Sequence, residues 1–262
     1  MLIYTSRGTA HDTAMLKEFS EPAWNNPVVR IIDIEKKDII PRINGVYKAS
    51  GIAKSVLAAI DKAGIVLGDD ARAILKKVAD GKEVSEADAQ AFRDATSNKI
   101  TRELANSLKS SVSAYESAEF GKAFELAVKV RDDEGSDEAE KADAAYLVRL
   151  IEGRWAGLKA KTERLKTERE YLRLFGAVDE SEKQFKGMPG AEAFFDAYSE
   201  LKKDKQVKAE VKALEKLAKL EEKLGEAESD RERESLTKQL ESFIEKNPGT
   251  RAAEKAAELL KD

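Results

Sequence analysis

Ser55-Val56-Leu57-Ala58-Ala59-Ile60-Asp61-Lys62-Ala63-Gly64-Ile65-Val66-Leu67 joins two apolar runs through a short polar segment that ends in glycine. An uncharged run, a turn signal and a second apolar run fit two antiparallel strands joined by a tight turn. On this reading residues 55–60 form a third strand and residues 65–67 a fourth, and the chain around them belongs to an α/β domain.

The flanking sequence extends that reading. Leu2-Ile3-Tyr4-Thr5 is β-prone and ends at the turn signal Ser6-Arg7-Gly8. A helix follows from Thr9 or Asp12, with Ala14, Met15, Leu16 and Phe19 on its apolar face and Pro22 as its stop. Residues 28–34 are nearly continuous in branched apolar side chains, as a strand covered on both faces requires. Residues 39–47 read as a short helix starting near Pro41. Downstream, Asp69 or Asp70 caps a helix over residues 71–79 that stops at Gly81. The expected order is strand, helix, strand, helix, hairpin, helix.

That order resembles the thioredoxin family, and so does the local texture. Tyr4-Thr5-Ser6 is similar to the strand before the active site, Ala14-Met15-Leu16-Lys17-Glu18-Phe19 to the helix after it, and Val29-Arg30-Ile31-Ile32-Asp33-Ile34 to the second central strand. Val46-Tyr47-Lys48-Ala49-Ser50-Gly51-Ile52 resembles the approach to the third strand, and residues 56–64 the hairpin. The resemblance implies a thioredoxin-like domain over residues 1–82 and places Thr9 and Asp12 at the two redox-cysteine positions and Ala53 at the cis-proline position. The chain has no cysteine, so no thiolate exists to attack a disulfide and the implied domain is redox-inactive. A cis bond before a non-proline residue costs about 3 kcal/mol, so a trans bond is expected at Ala53.

Beyond Gly81 the β-prone runs stop. Residues 83–99 read as a connector containing a helix over residues 84–95, and residues 100–262 as an all-helical domain. Leu104, Leu108, Val112 and Tyr115 form one apolar stripe, and Phe120, Phe124, Ala127 and Val128 the next, with a hairpin turn between them. Ala118-x-x-Gly121-Lys122-Ala123 at that turn resembles the tetratricopeptide texture. An acidic loop over residues 132–137 precedes a long helix running from about Glu138 towards Phe175, with Leu147, Ile151, Trp155, Leu158, Thr162 and Leu165 on one face. Phe185-x-x-x-Pro189-Gly190-Ala191-x-Ala193 recurs as Ile244-x-x-x-Pro248-Gly249-Thr250-x-Ala252, which implies repeated, elongated helical hairpins. Residues 202–223 supply another long arm, with Val207, Val211, Leu214 and Leu217 on a broad apolar face. The combination resembles thioredoxin-family proteins of planctomycete-like bacteria, and that resemblance implies an extracytoplasmic protein. The sequence itself leaves the compartment open.

Composition removes several functions. The 262 residues are 42% hydrophobic and 37% charged, yet 46 basic and 50 acidic side chains leave a net charge of only −4. That balance provides no basic face to displace phosphate counterions, so no nucleic-acid partner is expected. The apolar runs are too short to span a bilayer. No basic segment followed by an apolar one marks a signal peptide, and a chain that opens inside a core strand is expected to have upstream residues.

The candidate sites are few. Thr9 and Asp12 cap the helix that follows them, or alternatively form an anion site at its N-terminus. His11 is the only histidine and lies beside Asp12, too few ligands for zinc, so no metal is expected. Arg7 and His11 remain candidate partner contacts, and Trp155 is a core residue or a partner anchor. Residues 149–173 form a mildly basic helix best explained as a solvated face. No nucleotide-binding glycine pattern is present, and no cofactor is expected.

Together these features describe a non-enzymatic interaction or scaffold protein without catalytic residues, which binds a protein or peptide through a helical arm. Two alternatives stand beside it. A glutathione-transferase-like enzyme would use Tyr4 or Ser6 to activate the thiol, although Ala53 replaces the proline and Asp61-Lys62 the Glu-Ser pair that such enzymes use. A structural module would self-associate through its long helices.

Overall fold

The computed structural model describes residues 17, 29–32, 38–43, 48–63, 65, 67–227 and 229–260. Among them the elements are helices in series: α1 (Ala49–Ala63), α2 (Asp69–Ala79), α3 (Glu86–Thr96), a 3-10 turn (Asn106–Leu108), α4 (Lys109–Glu116), α5 (Phe120–Asp132), α6 (Glu138–Thr167), α7 (Tyr171–Phe185), α8 (Ala191–Leu201), α9 (Lys205–Glu226), α10 (Asp230–Lys246) and α11 (Arg251–Leu259). No strand or sheet occurs among the described residues, so the expected α/β thioredoxin-like domain is not seen, and its described residues from 49 to 63 and 69 to 79 are helical.

The expected hairpin at residues 55–67 is where the α/β reading fails. Residues 55–60 lie inside α1, and residues 61–63 of the expected tight turn are its last residues, with Ile65 N–H donating to Ile60 C=O at 2.9 Å. Ala53, Val56, Leu57 and Ile60 recur at three and four residues and pack against Leu75, Ala79 and Phe92, which a helix achieves and a strand pairing would not. Ala53, aligned above with the cis-proline loop, is therefore a buried helical residue.

The described residues of the second expected strand, 29–32, form no strand either. Val29 bridges Ile43 and Ile32 bridges Asp38, with Ile39 N–H donating to Ile31 C=O and Ile43 N–H to Val29 C=O, but these are isolated antiparallel bridges. The described part of the expected helix over residues 39–47 is this returning segment, and Pro41 lies within it. The expected strand at residues 2–5 lies outside the described residues, as do Arg7, Thr9, His11 and Asp12.

From residue 100 the helical expectation holds, with different breaks. Helix α6 opens on a capping box in which Glu140 N–H donates to Asp137 and Asp137 N–H to Glu140. Its predicted stripe, Leu147, Ile151, Trp155, Leu158, Thr162 and Leu165, is buried throughout. The chain does not continue as one helix to Phe175, because α6 ends at Thr167 and Arg169 takes a left-handed conformation with φ 57°. The two Pro-Gly echoes behave alike: Gly190 and Gly249 have φ of 77° and 74°, and each is followed by a helix.

The apolar contacts gather in three cores. One lies in α1–α3 around Ala53, Leu75 and Ala79. The largest spans α4–α8, where Trp155 stands 5.1 Å from Phe185 and 4.9 Å from Phe194 between ring centroids. The third joins α9–α11 through Leu214, Leu217, Leu240 and Phe243.

Candidate functional site

Helix α6 carries Gly153 and Gly157 four residues apart, with Ala156 between them, so one strip of its surface lacks side-chain bulk. Glycine within a helix costs about 1 kcal/mol relative to alanine, and close approach of another backbone is the usual compensation. The N-terminus of α2 occupies part of that strip: a Cβ built on Gly153 would lie 3.9 Å from the Cα of Gly68. Beside this contact a cleft of about 640 Å³ remains open, bordered by Leu67, Asp69 and Asp70 from α2 and its approach, by Arg149, Gly153, Arg154 and Gly157 from α6, and by Phe120 and Phe185.

A buried polar network fixes one wall. Asp94 is fully buried in α3, and its carboxyl group accepts from Thr101 N–H at 2.6 Å, Thr101 Oγ1 at 2.7 Å and Tyr146 Oη at 3.0 Å. The Tyr115 hydroxyl donates to the Asp94 carbonyl at 3.1 Å and accepts from Arg154 Nε at 2.9 Å. Arg154 Nη2 donates to the Ser97 carbonyl at 2.5 Å, and its guanidinium lies 5.1 Å from the Tyr115 ring centre and 5.0 Å from that of Phe120. Burial pushes the Tyr115 phenol up, with Arg154 acting in the opposite direction. Burial also raises Tyr146, followed by its hydrogen bond to Asp94 and the charge there.

These groups are consumed in holding residues 97–102 and α3 against α6. Arg149 differs, being exposed at the cleft and without an ion-pair partner among the described residues. The cleft offers an apolar wall, a floor of small residues, one cation at Arg149 and three exposed carboxylates, Asp69, Asp70 and Glu152.

Of the anticipated site residues, Ala53 and Trp155 lie among the described ones, and neither lines the cleft. Trp155 is buried under Phe185, Phe194 and Phe195, with Lys159 Nζ 5.6 Å from its ring centre. Ala53 is buried in α1. Residues 149–173 are legible in the sequence as mildly basic, whereas Gly153 and Gly157, the pair of helical glycines at the close approach, carry a local signal only as unusual residues within a helix. Among the described residues no group of three or more His, Asp or Glu side chains is placed to hold a metal, and no helix is long and apolar enough to cross a membrane.

No protein-family model matches the chain, and no curated protein or solved structure matches it.

Proposed function

We propose that the chain is a non-enzymatic interaction protein whose helices hold a protein or peptide segment in the cleft between α2 and α6. The observation that carries this reading is the open floor at Ala156 and Gly157, set between an apolar wall at Phe120 and Phe185 and a charged rim of Arg149, Asp69, Asp70 and Glu152. A segment with an apolar ridge flanked mainly by basic groups would match that lining, with the ridge over the small residues and the basic groups facing Asp69, Asp70 and Glu152. The buried polar side chains support the same reading, because Asp94, Ser111, Thr162 and Glu170 each make structural hydrogen bonds.

Ala156 is exposed at the cleft and suits a photo-crosslinking residue. Expressed in the source organism, that variant should give one discrete adduct, absent when the crosslinker sits at the exposed Glu241 on α10 and abolished by adding Gly157→Leu. An adduct of twice the chain mass would identify a second copy as the occupant and favour the self-associating module. Equal labelling from both positions, or none from Ala156, would overturn the reading.

A further inference from the structure

Arg169 occupies a backbone position that favours glycine. At the end of α6, Glu170 N–H donates to Leu165 C=O and Arg169 N–H to Lys166 C=O, the paired bonds of a Schellman cap, with Arg169 at φ 57°. The same bond pattern closes α2 with Gly81 in that place and α4 with Ala118. A non-glycine residue there costs about 1–2 kcal/mol, and strain retained in a fold invites a search for what the side chain does.

The Arg169 guanidinium crosses to the C-terminal helices. Nη1 donates to the Gly249 carbonyl at 2.9 Å and lies 3.4 Å from Glu210, and Nη2 pairs with Glu254. Glu210 in turn accepts from Arg251 N–H at the start of α11, at 3.1 Å. The next residue, Glu170, is buried and takes Lys255 Nζ at 2.8 Å, with Arg251 Nε at 3.7 Å. Two consecutive residues at the α6–α7 corner therefore gather α9 and α11 by ionic contacts.

Elsewhere the seam is made by α7 against α9. The α9–α11 core is separate from the α4–α8 core, and among the described residues Tyr171 packs against both. Helix α7 meets α9, yet a groove of about 450 Å³ lies open between Phe175 and Val211, rimmed by Lys202, Lys208 and Lys212. The chain itself crosses at residues 202–204, between α8 and α9. Two units with separate cores joined by a partly polar contact permit relative motion unless something latches it.

We propose that α9–α11 is a hinged arm, closed onto the α6–α7 corner by the Arg169 clasp and pivoting at residues 202–204. Arg169 and Glu254 retain 35% and 46% of their side-chain exposure, so salt reaches and weakens their pairing. Glu210 retains 12%, so loss of Arg169 leaves a shielded carboxylate short of a partner and favours opening. The arm contributes nothing to the α2–α6 cleft, so the two proposals stand or fall separately.

The chain has no cysteine, so Lys183→Cys on α7 with Glu241→Cys on α10 provides two unique sites for nitroxide labels. Pulsed electron-resonance distances should give a single narrow peak at low salt. Raising salt from about 0.1 M to about 1 M, which shortens the screening length from about 10 Å to about 3 Å, should broaden the peak and add a second population. Arg169→Gly should do the same at low salt, since glycine keeps the cap and removes only the guanidinium. Ala118→Gly should leave the peak unchanged. If Arg169→Gly does not fold, the salt series on the otherwise unaltered labelled chain decides the matter. A single narrow peak retained at high salt, or in folded Arg169→Gly, overturns the proposal.

Discussion

Gly121 lies directly against the backbone of Lys186: a Cβ built on Gly121 would stand 1.8 Å from the Lys186 carbonyl oxygen and 2.6 Å from its carbonyl carbon. The first turn of α5 and the end of α7 thus meet backbone to backbone, which only glycine permits. Backbone cannot swing aside as a flexible side chain would. Gly121→Ala should cost about 3 kcal/mol or more, read as a fall in the urea midpoint at unchanged slope. Gly176→Ala is the control, because Gly176 is an exposed position within α7 with open space around it. There alanine should stabilise by about 0.5–1 kcal/mol. Similar losses for the two variants would mean that the α5–α7 contact is not close.

Ala118 has φ 60° in the cap of α4. Glycine removes the Cβ conflict of that conformation, so Ala118→Gly should raise stability by about 0.5–1 kcal/mol despite the greater freedom glycine gives the unfolded chain. Gly81 has φ 73° and open space around it, so Gly81→Ala should lower stability by a similar amount through backbone conformation alone. Thermal melts of the two variants should shift in opposite directions, and a shift in the same direction would contradict the shared cap geometry.

How far these features were legible varies along the chain. The α6 stripe was readable because it sustains spacings of three and four over many turns, enough for one face to be identified. The Pro-Gly echoes were readable because their glycines take positive φ, a conformation with a residue signature. At residues 55–60 the apolar run was too short to separate strand from helix, and the deciding partner, Ala53, had been assigned to a loop by analogy. Arg169 left no local trace: Thr167, Glu168 and Glu170 carry neither glycine nor proline, and the left-handed turn brings its side chain to partners dozens of residues away. The cleft was hidden for a related reason, since Gly153 gains meaning only once α2 is seen packed on it.

Asp94 shows the same dependence on tertiary context. An aspartate near the end of α3 resembles any solvated helical carboxylate, yet it is fully buried beneath donors from Thr101 and Tyr146. Asp94→Ala would strand these donors away from water and should cost about 3 kcal/mol or more. Asp94→Asn keeps two acceptor lone pairs and should cost less. Hydrogen exchange at the Thr101 amide should accelerate in the alanine variant, and an unchanged rate would show that Asp94 does not hold that amide.

The pH dependence of the network has a definite sign. The Tyr146 phenol lies above the ordinary 10.0, raised first by burial and then by donating to Asp94 and facing its charge. Tyr115 is raised too, first by burial, against the pull of Arg154. In the unfolded chain both would ionise near 10.0, whereas in the fold they keep their protons longer, so the folded state binds more protons at alkaline pH. Their contribution is therefore intact below about pH 10 and declines as pH rises through the unfolded value towards the folded one. Tyr146→Phe removes one of these groups together with a hydrogen bond worth about 1–2 kcal/mol. The variant should be less stable near neutrality, and its urea midpoint should fall less steeply between about pH 9 and about pH 11. Lysine titration is common to both proteins and cancels in the comparison. Parallel alkaline limbs for wild type and Tyr146→Phe would show that the Tyr146 proton is not held by the fold.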